Sequence, residues 1–201
     1  MARHARGTVY AGIYHVTRRS AGPVEMFRDD FDRTDFCNRL QRTINRFAWV
    51  CHAFCLMGTH YHLLVEVEED ALQPGMSLLN GTYARMFNLR WGRSGHLKGS
   101  PYGAKLVETD GHLLECLRYI SNNPVEAGMT THPADWPWSS YREAIGRRGR
   151  FAFADPSIVI GLFDGSIEQL RDFVETPWES DRTAVSDTLR VNSGVRHPSG
   201  V

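Results

Sequence analysis

Two histidines one residue apart, His60 and His62, stand inside the apolar run CLMGTHYHLLVEV at residues 55–67. Side chains alternate along an extended strand, so Tyr61, Leu63, Val65 and Val67 share one face while His60, His62, Leu64, Glu66 and Glu68 share the other. Imidazoles at i and i+2 lie about 7 Å apart at Cα, close enough to converge on one metal ion. Solvent-facing or otherwise satisfied histidines have the same spacing, so the pair alone leaves both readings open. A third ligand would separate them. At about 100° per residue, Tyr119 and Asn123 fall one turn apart on a polar strip beside Leu113, Leu117 and Ile120, with His112 two turns before Tyr119. A tyrosine there can simply flank the core with its hydroxyl in water. This one adjoins an amide able to supply a carbonyl ligand.

The elements that would position these residues are legible from pattern. Residues 8–20, TVYAGIYHVTRRS, are rich in β-branched and aromatic residues and read as a first strand. From Asp29, an acidic start leads into Phe36, Leu40, Ile44 and Phe47 at helical spacing. Two strands follow around Gly58-Thr59, a turn consistent with a hairpin. A second helix is expected over 77–91, then a glycine-rich loop into a short strand. Asp110 opens a third helix, which Pro124 should limit. The order β-α-β-β-α-β-α predicts an α+β fold, an antiparallel sheet with helices on one face. Residues 132–150 read as irregular, with Trp136 and Trp138 packing the third helix onto the body. One more helix is expected at 166–176, and 177–201 reads as polar and disordered. The expected division is a main domain at 1–150 and a short C-terminal helical tail at 151–201.

Composition narrows the class. The chain of 201 residues, 42% hydrophobic, can bury one main core. Formal charge is zero overall, yet residues 1–150 carry 19 basic against 15 acidic side chains and residues 151–201 carry 4 against 8, a basic body with an acidic tail. Only Lys98 and Lys105 are lysines, and arginine suits planar, bidentate contacts to phosphate. Cys37, Cys51, Cys55 and Cys116 form no CxxC pair and read as buried free thiols. No stretch approaches the about 20 apolar residues of a membrane helix, and no signal peptide is apparent. A soluble, cytoplasmic protein is expected.

Several segments in order, YHVTRRS, MFRDD, CLMGTHYHLLVE, GHLKG followed by LVE, RYISNNPVEAG and WPWSSY, together resemble the REP-associated branch of the single-tyrosine HUH transposases, the insertion-sequence-200-like group, over about residues 8–142. The resemblance implies a ferredoxin-like palm, a divalent ion (Mn²⁺ or Mg²⁺) on His60 and His62, Tyr119 as nucleophile on single-stranded DNA, and Asn123 as a further polar ligand. Imidazole donors favour manganese over magnesium. The implied activity is a metal-dependent endonuclease and transposase that nicks and transfers strands through a 5′-phosphotyrosine at REP-like hairpins, as a monomer or homodimer. The alternative is a domesticated hairpin-binding protein with little or no cleavage. A structural zinc protein is disfavoured, since such sites take four protein ligands, mostly thiolates. Arg18, Arg19, Arg85, Arg90, Lys98, Tyr102 and Lys105 are the candidate DNA contacts. The chain departs from the family pattern at Thr59, where Asn is common, at 99–103, where GSPYG replaces a Gly-Arg-Tyr stretch, and at Ser121 and Asn122.

Overall fold

The structure, a computed structural model, describes residues 9–21, 24–94 and 101–176. Four strands, β1 (Gly12–Arg19), β2 (Val50–Leu56), β3 (His60–Val67) and β4 (Gly103–Leu106), form an antiparallel sheet in the order β2-β3-β1-β4. The main helices are α1 (Asp30–Phe47), α2 (Leu72–Arg90) and α3 (Asp110–Glu126). The short helices α4 (Tyr141–Ala144), α5 (Ser157–Gly161) and α6 (Ile167–Glu175) follow a 3-10 turn at Pro133–Asp135. The α+β class and the element order are as the sequence predicts.

The placement of helices differs from the expectation in one respect. Helices α1 and α2 cover one face, packing Phe36, Leu40, Leu79, Tyr83 and Phe87 against Val16, Phe54, Tyr61, Leu63 and Val65. Helix α3 lies on the opposite face, where Leu113, Leu117 and Ile120 meet Ala53, Cys55 and Leu64. The central part of the sheet is therefore buried on both faces. Alternation lets each central strand serve both cores, and in β2 a bulge changes its parity. The register with β3 slips between Cys51 and Ala53, so Cys51 and Phe54 both join the α1/α2 core while Ala53 and Cys55 turn to α3. The extra residue, His52, is buried with Nε2 3.1 Å from Glu66 Oε2 and Nδ1 3.2 Å from the Asp155 carbonyl.

Helix starts follow side-chain caps. Asp29 accepts from the Asp32 amide at 3.0 Å to open α1, and Thr109 accepts from the His112 amide at 3.2 Å to open α3. Helix α2 begins earlier than expected because Pro74 falls in its first turn, where no partner for its missing N–H is needed. Pro124 does not stop α3, which continues to Glu126. Trp136 packs against the cluster that holds Leu113, Leu117 and Ile120 of α3, as expected, whereas Trp138 does not serve α3. Trp138 is buried in the α1/α2 core, and their segment hydrogen-bonds the outer edge of β2 through Leu56 N–H to the Trp138 carbonyl and Phe54 N–H to Ser140 Oγ. The division expected at residue 150 separates no packing unit: Phe151 joins one core and Val159, Leu170 and Val174 the other.

Candidate active site

His60 and His62 project from β3 toward α3, as strand alternation requires. Their rings stand perpendicular with centroids 5.1 Å apart. Tyr119, on α3, meets His62 edge to face at 5.2 Å, and Asn123 Oδ1, one turn further, is 3.1 Å from His60 Nε2. All four residues singled out from spacing therefore converge. Cys55 and Ala53, small residues beneath α3, let the helix approach the sheet closely enough for that meeting.

Burial dominates the electrostatics. His62 is 2% exposed and its charged form is strongly disfavoured by burial, with His15, His60 and Arg19 acting the same way. Burial, helped by Arg19, lowers His60 to about 4 although Asn123 opposes it. Both imidazoles are neutral near pH 7, the form that ligates metals. The Tyr119 phenol is raised above its ordinary value by burial first and Glu126 second, while a hydrogen bond with Asn123 and the charge of Arg19 favour its ionised form. His62 Nε2 is buried without a hydrogen-bond partner. It is one of several such atoms among the described residues and the one within this cluster, where a ligand would satisfy it. Two neutral imidazoles and an amide oxygen fit a catalytic cation with open positions rather than a closed structural one. Among the described residues, no group of three or more His, Cys, Asp or Glu side chains could hold a metal ion, so the amide is integral to any such site.

Thr59 keeps contact with the first histidine, its hydroxyl 3.2 Å from His60 Nδ1. A hydroxyl donates or accepts, so it serves either tautomer of that ring. The sequence reading missed His15, whose ring stacks on His62 at 5.3 Å with Nε2 3.1 Å from His62 Nδ1, and lies 6.1 Å from Tyr119. The signal was confined to parity on the first strand, and the pairing of that strand with β3 is a tertiary fact.

The candidate DNA contacts divide. Arg19 pairs in register with His60 and its charge acts on His60, His62 and Tyr119. Lys105 pairs with His15 on the same side and its charge reaches His15 and His112. Arg18, one residue from Arg19, faces the other way toward Tyr61, and Tyr102 packs against the α1/α2 core. Arg85 is exposed on α2 beside Arg46 and Phe47, across the sheet from Tyr119. Arg90 donates to Asp29 Oδ1 and Asp32 Oδ1 at 2.6 Å each and stacks over Phe31 and Trp91, which makes it a clasp between α1 and α2. Lys98 lies outside the described residues, as do Gly99 and Ser100 of the GSPYG stretch.

Comparison with known proteins gives the family and the fold. A REP-associated tyrosine transposase of Haemophilus influenzae is 22% identical over 156 residues, covering 72% of this chain and 88% of that protein. A solved REP-associated tyrosine transposase bound to a REP hairpin superposes with a TM-score of 0.59 at 15% identity, covering 78% of this chain and 94% of the other, which shows a shared fold. Residues 8–123, more than half of the chain and including Tyr119 and Asn123, match the family described as Transposase IS200 like. This chain belongs to the IS200-like transposase family.

Proposed function

We propose that this protein nicks and rejoins single-stranded DNA at REP-like hairpins through a 5′-phosphotyrosyl bond to Tyr119, with His60, His62 and Asn123 holding Mn²⁺ or Mg²⁺. The carrying observation is that the Tyr119 ring abuts His62, whose buried Nε2 has no partner, beside the His60–Asn123 contact. A bound cation would neutralise charge on the non-bridging oxygens of the scissile phosphate.

The chain's own groups do the rest. Tyr119 Oη attacks phosphorus, the bond from phosphorus to the 3′ oxygen breaks, that oxygen leaves as a 3′-OH after taking a proton, and the phenol proton passes to solvent. Because the resting phenol holds its proton tightly, Arg19 and Asn123 have the task of favouring the phenolate as attack begins. Rejoining reverses the step: a 3′-OH attacks the phosphotyrosyl phosphorus and Tyr119 leaves, with no ATP needed. The hairpin preference is inferred from the relative bound to a REP hairpin.

One observation favours the competing reading of a hairpin-binding protein without cleavage: His60 Nε2 and Asn123 Oδ1 already face each other at 3.1 Å. A denaturing gel of the full chain with labelled single-stranded hairpins, in Mn²⁺, Mg²⁺ or EDTA, decides. A covalent adduct that needs metal and disappears in Tyr119→Phe and His60→Ala supports the enzyme. Tight hairpin binding with no adduct supports the binding module.

A further inference from the structure

We propose that His15 is a positioning residue that holds the proton of His62 on Nδ1, leaving the Nε2 lone pair bare for the cation. This rests on the metal-dependent reading above and deepens it. His15 pairs in register with Leu64, so His62 is its diagonal neighbour across β1 and β3, a separation that ring side chains span. The rings stack with 28° between planes, and His15 Nε2 is 3.1 Å from His62 Nδ1.

Two nitrogens at that distance form a hydrogen bond only when one of them carries a proton. If His15 donates, His62 must carry its own proton on Nε2, which then becomes a buried N–H with no acceptor. A cation cannot satisfy that N–H, whereas it can satisfy a bare lone pair at the same place. If His62 donates from Nδ1, its Nε2 is a bare lone pair, and a cation shared with His60 and Asn123 satisfies it. The second arrangement leaves no donor stranded and gives His62 the tautomer that ligation needs. His15 Nε2 is occupied by this bond, so His15 acts through His62 and is not itself a ligand.

The test uses the full chain with Mn²⁺ as probe. Long-range ¹H–¹⁵N correlation on the metal-free protein reads the tautomer directly, and titration followed by electron paramagnetic resonance reads Mn²⁺ affinity and the number of bound imidazoles. Expected are a wild-type His62 protonated on Nδ1 and two coordinated imidazoles. His15→Phe, which keeps a ring but no acceptor, should lower Mn²⁺ affinity about 10- to 100-fold and lower the thermal midpoint of the metal-free protein modestly, because a buried donor of His62 loses its acceptor. His15→Gln, which restores an acceptor oxygen, should recover most of that affinity. A wild-type His62 protonated on Nε2, a His15→Phe variant that binds Mn²⁺ as wild type does, or three coordinated imidazoles would each overturn the proposal. Absence of any Mn²⁺ binding by wild type would instead overturn the metal-dependent reading, and the tautomer measurement would still decide the role of His15.

Discussion

Tyr119 and His62 meet edge to face across the gap between α3 and β3, their planes 89° apart. The contact is made by the rings, so the hydroxyl can be removed without dismantling it. Tyr119→Phe should abolish the covalent adduct while changing folding stability by no more than about 1 kcal/mol, the worth of one hydrogen bond. Urea denaturation beside the adduct gel checks both halves, and a large loss of stability would mean that the variant reports on folding.

Two arginines should behave oppositely. Arg19 is exposed beside His60, so Arg19→Ala should leave stability within about 0.5 kcal/mol and reduce the salt slope of hairpin binding by about 0.7. Arg90→Ala should lower stability, because Asp32 is fully buried and loses its cationic partner. Its salt slope should stay at the wild-type value. Hairpin affinity measured across a salt series distinguishes the two.

Acid should weaken the same clasp. The hydrogen bond from Arg90 holds the Asp29 carboxyl at about 2, below its ordinary 3.8. A depressed folded value means that the unfolded chain takes up the proton first, so the contribution is present above about pH 4 and is lost as pH falls toward 2. Asparagine also caps a helix, so Asp29→Asn removes the charge alone. The stability gap between wild type and this variant should hold from pH 7 to 5 and close between pH 4 and 2, as followed by chemical denaturation at each pH.

Gly75 shows why a glycine stands inside α2. A Cβ there would lie 2.2 Å from Trp49 Cζ2. Gly75→Ala should destabilise by about 1 to 3 kcal/mol through overpacking, despite the better helix propensity of alanine. An unchanged denaturation midpoint would show that Trp49 can move aside.

The reactive core was legible because it obeys two local periods. Two-residue alternation put His60 and His62 on one face, and a helical turn put Asn123 above Tyr119. What escaped was set by contacts between distant segments. His15 reaches His62 only through strand pairing, 47 positions away. Arg90 looked like a cation at a helix end, and its acids lie 58 and 61 residues earlier. Arg18 could have been separated from Arg19 by the same alternation that located the histidines. The bulge at His52 also lay beyond local pattern, because only register reveals it. It is what turns Cys51 toward the same core as Phe54.

Ala53 and Cys55 acquire a meaning from this layering. They form the floor on which the helix that carries Tyr119 rests. Their bulk works as a shim: it sets the height of Tyr119 above His62. Thickening it, as in Ala53→Leu, would lift the phenol away from the histidines and leave every reactive group intact. The placement of Tyr119 therefore depends on two small side chains buried out of sight beneath its helix.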